Sequence, residues 1–400
     1  MYKNILKANK NLQKYLVKTP TKFSHSLSEV VKKNIFIKYE NFQHTGSFKY
    51  RGALNKILNL NPTQRKKGVI AMSAGNHAQG VSLACKLLKI KATIVMPNNT
   101  PFEKIRRNLE LGAHVEIFGD NVLESENYVN KLVKKYGYQK IHPFDDKNVI
   151  YGQGTLMIEM LNDFPQLDTL LVPVGGGGLL SGCSIVAKEV NKEIKIIAVQ
   201  SEKFPSFFNH FYKKKNEFGI NSIAEGVAVK KVGKLNKKIL DQFVDKCVLV
   251  KENKIEEAIS YFLMKDKTLV EGAGAIGLAA LLEGKIYKNS KNIGLIACGG
   301  NLDSRVLSSL LMRELVRKKK ILTLSIDMED KPGQLNEISN LCAHEKINIL
   351  EIEHSRFTLD LSVRTARLNI TLETRNENHA KIIIKKIREL GFKVQVKKKN

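Results

Sequence analysis

The chain has 400 residues, of which 43% are hydrophobic, and its formal net charge is +27. That length predicts two or three domains, and the lack of any run of 18 apolar residues excludes a transmembrane helix. The stretch MYKNILKANK has neither an apolar core nor a small-residue cleavage site, so no secretory signal is expected. The five cysteines are scattered, which disfavours disulfides and structural zinc and favours a reducing, cytoplasmic location.

The positive charge is spread along the whole chain. Its densest runs are residues 213–215, 317–320 and 397–399. A nucleic-acid-binding protein would be expected to gather its cations on one element, among aromatic residues. We therefore predict a solvated lysine-rich surface with no nucleic-acid and no membrane partner. Attraction of anionic substrates and weak RNA binding are the alternatives.

Apolar runs alternate with stretches of helical period from about residue 35 to 310. The strand candidates are residues 35–40, 68–73, 92–97, 114–119, 169–174, 194–200 and 293–299. Several are continuous Val, Ile and Leu runs, as strands buried on both faces require. The pattern predicts an α/β fold with parallel sheets, in which ligands bind beyond the carboxyl ends of the strands.

The pattern changes after residue 316, where alternating strands and two helices follow in the order βαββαβ. The basic stretch Arg317–Lys320 reads as an exposed linker. We predict a catalytic domain at 1–316, with a smaller subdomain at about 40–150, and a second domain at 321–400. In the loop Asp330–Leu335, a helix start with free N–H groups could bind a ligand carboxylate.

The segment HTGSFKYRGA, residues 44–53, contains the first candidate for chemistry. Lys49 follows a Gly-Ser turn and begins a helical stretch, where the helix dipole lowers the pKa of an amine. A lowered pKa suits a lysine that must attack a bound aldehyde. Taken alone, a lysine in a chain with 66 Lys and Arg residues is more often a solvated surface residue.

The segment SAGNHAQG, residues 73–80, lies between a predicted strand and a predicted helix. Such a junction exposes backbone N–H groups to an anion, and a substrate carboxylate suits it. Asn76 could also donate a hydrogen bond to the ring hydroxyl of a cofactor. For His77, a packed or capping histidine is the simpler interpretation.

Four consecutive glycines, Gly175–Gly178, lie at a further strand–helix junction. Their N–H groups can converge on a phosphate, whereas a merely flexible turn would carry a large entropy cost. The loop is neither G-x-G-x-x-G, because Leu180 occupies the last glycine position, nor a Walker A loop. In IACGGN, Cys298 is a candidate partner of a pyridine nitrogen, or else a small buried hydrophobic residue.

The motifs ENFQHTGSFKYRGA, SAGNHAQG, VPVGGGGL, IAEGVAV, EGAGA and CGGN occur in the order typical of one family. Together they resemble the fold-type II pyridoxal-phosphate enzymes, which share the fold of tryptophan synthase β. Among these the match is closest to the threonine dehydratases, or threonine ammonia-lyases, over about residues 15–310. The tail resembles an ACT regulatory domain through its βαββαβ pattern and its DKPGQL loop.

The resemblance implies the following roles for individual residues. The lysine that holds pyridoxal phosphate and takes the α-proton is Lys49. The other residues implied to bind the cofactor are Phe48, Asn76, Gly175, Gly176, Gly177, Gly178, Leu179 and Cys298. The residues implied to bind the substrate carboxylate are Ser73, Ala74, Gly75 and His77. A neutral thiol at the ring nitrogen would favour loss of the β-hydroxyl over transamination.

The implied reaction converts L-threonine to 2-oxobutanoate and ammonia, and L-serine to pyruvate, in either isoleucine synthesis or threonine breakdown. A serine dehydratase or racemase is the nearest alternative, but a racemase needs a serine where this chain has Ala74. A non-catalytic amino-acid sensor is disfavoured by Lys49 and the complete glycine loop. No divalent metal is predicted, because the segment after Glu202 lacks an acidic partner. The ACT resemblance implies an amino-acid effector and a homodimer or homotetramer.

Overall fold

The computed structural model describes residues 1–356 and 360–397, so Lys398 and Lys399 of the last basic run lie outside the described residues. Contacts divide the chain into two compact units, Met1–Leu302 and Asp303–Asn400. Across the described ranges, no helix is both long and apolar enough to cross a membrane.

The first unit alternates strands with helices. Its strands are β1 (Thr21–Phe23), β2 (Asn34–Lys38), β3 (Val69–Met72), β4 (Ala92–Met96), β5 (His114–Ile117), β6 (Gln139–Lys140), β7 (Thr169–Pro173), β8 (Lys195–Ser201), β9 (Lys246–Val250) and β10 (Asn292–Ile296). Its helices are α1 (Tyr2–Leu12), α2 (His25–Val31), α3 (Lys49–Leu58), α4 (Pro62–Lys67), α5 (Asn76–Leu87), α6 (Phe102–Glu110), α7 (Val122–Tyr136), α8 (Lys147–Asp163), α9 (Gly178–Val190), α10 (Ser206–Phe211), α11 (Lys234–Phe243), α12 (Glu252–Met264) and α13 (Gly272–Leu282). Short 3-10 turns lie at Glu40–Phe42 and Glu225–Val227.

Two sheets organise these elements. The larger has the order β1-β2-β10-β7-β8-β9 and is parallel except for β1, which pairs antiparallel with β2. The smaller has the order β5-β4-β3-β6 and is entirely parallel. The predicted α/β fold with two parallel sheets is confirmed. The loops that follow β3, β7 and β10 carry three of the four predicted motifs, at carboxyl ends of strands.

Helix α3, which begins at Lys49, packs against α5 and α8. Its apolar face, including Leu54 and Ile57, joins the core of the smaller sheet. On its other side, a Cβ added at Gly52 would lie 2.3 Å from Nε2 of Gln153 on α8, so only glycine allows this approach. Close packing on two sides leaves α3 little freedom to move, which fixes the start of the helix.

The second unit contains α14 (Ser304–Arg317), β11 (Ile321–Glu329), α15 (Gln334–His344), β12 (Asn348–Ser355), β13 (Thr365–Glu373), α16 (Glu377–Glu389) and β14 (Lys393–Val396). Its antiparallel sheet has the order β12-β13-β11-β14. Fully buried residues such as Ile326, Ile370 and Ile383 form its core. The predicted βαββαβ pattern is confirmed. Contacts group α14 with this unit, and the limits 1–316 and 321–400 remain predictions.

Candidate functional site

Tertiary structure brings the separate sequence motifs to one place. The Phe48 N–H donates to the Cys298 carbonyl at 3.0 Å, and Ser47 forms a bridge with Gly299, so the lysine loop pairs with the loop after β10. Asn76, at the start of α5, donates to Glu271 at 2.8 Å. Residues from three distant segments therefore surround the start of α3.

Lys49 is partly buried, and its Nζ donates to the Pro143 carbonyl at 3.0 Å. The amine also lies 5.3 Å from the centre of the Phe48 ring. Burial lowers the pKa of Lys49 to about 8, although Cys298 and Glu271 oppose that shift. A larger fraction of the amine is therefore neutral near pH 7 than in an exposed lysine, and a neutral amine can act as nucleophile and base.

The glycine loop presents a row of unpaired donors. In the described structure, no acceptor is bound by the N–H groups of Gly175, Gly176, Gly177, Gly178 and Leu179, all of which are buried. Buried N–H groups without acceptors are costly, and at the start of α9 they suit an anionic oxygen. This donor set fits the phosphate of the predicted cofactor.

Phe144 links the glycine loop to the lysine. A Cβ added at Gly176 would lie 2.2 Å from the Phe144 ring, so this glycine is required by close packing. Phe144 directly follows Pro143, the carbonyl of which accepts the Lys49 hydrogen bond. The predicted phosphate site and the predicted covalent site therefore lie on either side of one short segment.

Replacing Gly177 with Asp should weaken the binding of pyridoxal phosphate by at least about tenfold. Gly177 has φ +98°, its added Cβ would lie 2.8 Å from Asn236, and the new carboxylate would repel a phosphate. Fluorescence titration of the apoprotein would measure the affinity. The matched control is Gly284→Asp, since Gly284 also has positive φ but no neighbour near its added Cβ. Equal affinities for the two variants would contradict the phosphate-loop assignment.

The loop before α5 offers further unpaired donors. Within the residues described, the N–H groups of Ala74, Asn76 and His77 donate to no acceptor, and Ser73 Oγ accepts from the Gly75 N–H at 3.2 Å. A Cβ added at Gly75 would meet nothing within 4 Å, so the loop borders open space. These features suit a small carboxylate.

The His77 side chain is packed in the interior. Its Nε2 lies 2.9 Å from the Ile141 carbonyl. Burial, reinforced by Lys49, lowers the pKa of His77 to about 3, so the ring is neutral. The side chain of His77 therefore fits the interpretation of a packed histidine, and its backbone N–H remains available for a ligand.

Glu271 is the main site residue that the sequence analysis did not single out. Asn76 Nδ2 donates to both of its carboxylate oxygens, at 2.8 and 3.0 Å, and Asn301 Nδ2 donates to Asn76 Oδ1 at 2.7 Å. Burial raises the pKa of Glu271 to about 7. The sequence does contain a feature that could have identified Glu271. It is the one acidic residue at the start of EGAGAIGLAALL, a run of small and apolar residues in which a charge is unexpected.

We expect kcat/KM to fall below about pH 7, because protonation of Glu271 removes the charge that orients Asn76. In the Glu271→Gln variant, the contribution of Glu271 to this acidic limb should be absent and the plateau lower, which leaves the limb due to protonation of Lys49. A pH profile of kcat/KM with threonine would test both points. The exposed Glu202→Gln variant should keep the limb. An acidic limb in Glu271→Gln identical to that of the parent would contradict the assignment.

Cys298 is buried at the end of β10, and burial raises the pKa of its thiol well above the ordinary value. A neutral thiol is therefore available where the sequence analysis expects a partner for the ring nitrogen. Glu202 is exposed on the surface. No cluster of three or more metal-ligating side chains occurs in the part of the chain that is described, and the metal prediction stays a prediction.

Comparison with known proteins covers both units. The model of pyridoxal-phosphate dependent enzymes matches residues 12–299, and that of the ACT domain matches residues 322–392. The chain is similar to an L-threonine ammonia-lyase from Thermotoga maritima, with 38% identity over 395 residues and 98% of each chain covered.

Solved structures are similar to about three quarters of the chain. A processed threonine deaminase isoform 2 from Solanum lycopersicum has a TM-score of 0.72 and 34% identity, covering 77% of this chain and 86% of that chain. A serine racemase from Dictyostelium discoideum has a TM-score of 0.71 and 36% identity, covering 75% and 98%.

Proposed function

Because this chain belongs to the pyridoxal-phosphate-dependent enzymes and ends in an ACT domain, we propose that it converts L-threonine to 2-oxobutanoate and ammonia. It is a carbon–nitrogen lyase that uses pyridoxal phosphate. The predicted cofactor, enzyme class and reaction are confirmed by relatives that align along nearly its full length. Deamination of L-serine to pyruvate is the second reaction we propose.

One observation carries the proposal for the site. Five consecutive buried N–H groups, which have no acceptor among the described residues, lie next to the segment that binds Lys49. When bound there, pyridoxal phosphate supplies the electron sink that makes the α-proton of an amino acid acidic. The chain supplies the phosphate cradle, the amine and the neutral Cys298 thiol.

The residues of this chain then divide the remaining work. The N–H groups of Ala74, Asn76 and His77, in the Ser73–His77 loop, bind the substrate carboxylate and orient the α-carbon. Lys49, whose pKa is lowered to about 8, takes the α-proton as general base. Asn76, which is held by Glu271 and Asn301, is the residue we assign to a hydrogen bond with the ring hydroxyl.

Racemisation of serine is the alternative that the structural similarity to a serine racemase raises. It would need a proton donor opposite Lys49. At the position where the resemblance to racemases requires a serine, this chain has Ala74, and a methyl group cannot transfer a proton. This residue favours elimination over racemisation.

The test is an assay of the full chain loaded with pyridoxal phosphate. We expect 2-oxobutanoate from L-threonine with a higher kcat/KM than that for pyruvate from L-serine. Chiral analysis of the unreacted serine should detect no D-serine. Formation of D-serine without 2-oxo acid would refute the proposed reaction. A visible absorption spectrum without a cofactor band would instead favour a non-catalytic sensor.

The ACT domain suggests binding of an amino-acid effector. We propose that such an effector regulates a cytoplasmic homodimer or homotetramer, in isoleucine synthesis or threonine breakdown. Kinetics of the full chain with added isoleucine and valine would separate these roles, since inhibition by isoleucine is expected only for the biosynthetic one.

A further inference from the structure

The second unit contains a cavity of about 400 Å³ at one end of its sheet. The cavity lies where β11 and β12 begin and β13 ends, and Leu315 of α14 closes one side. The Thr374 N–H donates to the Lys320 carbonyl at 2.8 Å, and the Thr374 hydroxyl donates to the Lys319 carbonyl. These bonds hold the turn between α14 and β11 against the sheet, so the rim of the cavity is built by backbone.

The charges around the cavity are unbalanced. Lys320, Lys346 and Arg375 line it, and none of them has an anionic partner in the described ranges. The acidic residue of the wall is Glu373, and Asn348 donates to it at 2.9 Å. Three neighbouring cations against one carboxylate repel one another, and an anion among them would relieve that repulsion.

The remaining wall is apolar. Leu315 is half-buried and Ile321 is buried, and together they offer a surface for an alkyl group. We propose that this cavity binds a small aliphatic carboxylate, with its carboxylate among Lys320, Lys346 and Arg375 and its alkyl part on Leu315 and Ile321. Both an α-amino acid and a 2-oxo acid carry these groups.

This site differs from the one that the sequence analysis suggested. The Asp330–Leu335 loop follows the far end of β11, and a strand from Ile321 to Glu329 spans about 30 Å. The cavity is instead bounded by α14, the helix that follows the first unit in sequence. Binding in this cavity and the proposed reaction are independent: the chain could deaminate threonine without binding a ligand here, and it could bind a ligand here without deaminating threonine.

The test is calorimetry of the full chain, loaded with pyridoxal phosphate, with L-isoleucine, 2-oxobutanoate and inorganic phosphate as probes. We expect at least one of the two carboxylates to bind, and Lys346→Gln or Arg375→Gln to weaken that binding about tenfold. Replacing the exposed Lys381 of α16 with Gln is the control for lost charge, and Lys331→Gln tests the Asp330–Leu335 loop.

The outcomes separate the two locations. The cavity is supported if Lys346→Gln or Arg375→Gln weakens ligand binding while Lys381→Gln and Lys331→Gln bind as the parent does. The probe that binds then shows whether the ligand is an amino acid or a 2-oxo acid. Binding that only Lys331→Gln weakens would overturn the proposal, because the site would then be the loop. Binding of phosphate alone, or of no probe, would overturn it as well.

A separate observation concerns Arg107 on α6 in the first unit. Its Nη1 donates to Asn301 Oδ1 at 3.1 Å, and Asn301 Nδ2 donates to Asn76 Oδ1 at 2.7 Å and to the Thr45 carbonyl at 2.8 Å. A charged donor on Oδ1 opposes a flip of the Asn301 amide, which would turn its donor away from Asn76. We infer that Arg107 is a positioning residue for Asn76, and this rests on the proposed contact of Asn76 with the cofactor.

Arg107→Met should weaken cofactor binding to the apoprotein several-fold, and Arg107→Lys should restore part of it. The matched control is Arg106→Met, since Arg106 is the exposed neighbour and pairs with Glu103 on the same helix. Fluorescence titration measures affinity without turnover. If Asn76→Ala weakens binding but Arg107→Met matches Arg106→Met, the inference about Arg107 is wrong. If Asn76→Ala also has no effect, the cofactor contact itself is refuted.

Discussion

Lys49→Ala should lower threonine turnover by at least about 10²–10⁴-fold, because it removes both the amine that holds the cofactor and the general base. The visible band of the bound cofactor should change as well, since the covalent link is lost. Turnover and absorption would be measured on the same preparation. Normal turnover with an unchanged spectrum would refute the role of Lys49.

The fold should survive this substitution. Burial lowers the pKa of Lys49 from 10.5 to about 8, so the charged amine is disfavoured in the folded apoprotein. Its unfavourable contribution to stability is present below about pH 8 and disappears as the pH rises from about 8 to 10.5. Lys49→Ala should therefore keep or raise the unfolding midpoint at neutral pH. Lys56→Ala, on the same helix and paired with Asp146, is the control that should keep full turnover.

Arg51→Met should destabilise the apoprotein by about 3–5 kcal/mol, the range for removing one partner of a buried ion pair. Arg51 is fully buried and contacts both oxygens of Glu40 at 2.8 Å and those of Glu159 at 2.7 and 2.9 Å. Lys38 also binds Glu159, at 2.6 Å. Without Arg51, the fully buried Glu40 carboxylate would keep only the Thr19 hydroxyl as its donor among the described contacts.

Urea unfolding at pH 7 would measure this loss. Arg51→Met combined with Glu40→Gln should recover part of it, because no unpaired carboxylate then remains at Glu40. Lys56→Met, at an ion pair with side chains that are 21% and 20% exposed, should cost clearly less than Arg51→Met. An equal effect of Arg51→Met and Lys56→Met would mean that the buried network does not stabilise the fold.

The same network implies a dependence on pH. Burial opposes ionisation of Glu159, but Arg51 and Lys38 keep its pKa below the ordinary 4.5. The stabilisation from this carboxylate is therefore complete above pH 4.5 and is lost as the pH falls through the lowered pKa. The parent should lose stability in that acidic range more steeply than Arg51→Met does.

Local sequence determined most of the secondary structure. Apolar runs predicted β2, β3, β4, β5, β7, β8 and β10. Several of these are continuous Val, Ile and Leu runs, since the inner strands of a parallel sheet are buried on both faces. Edge strand β5 is only partly buried. The run Lys246–Val250 was not singled out, and it forms edge strand β9. The strands β1 and β6 have only three and two residues, too few for a period to be recognised.

Sequence motifs also determined those parts of the candidate site in which a single loop supplies all the groups that bind the ligand. The glycine loop and the SAGNHAQG loop each act through consecutive backbone N–H groups, which local conformation can align. Only tertiary structure decided the contacts among Asn76, Glu271, Asn301 and Arg107, because these side chains come from four separate segments. It likewise decided that Lys38, Glu40 and Arg51 are buried together. A charged residue in a sequence is usually solvated, and only the arrival of opposite charges from distant elements makes its burial tolerable.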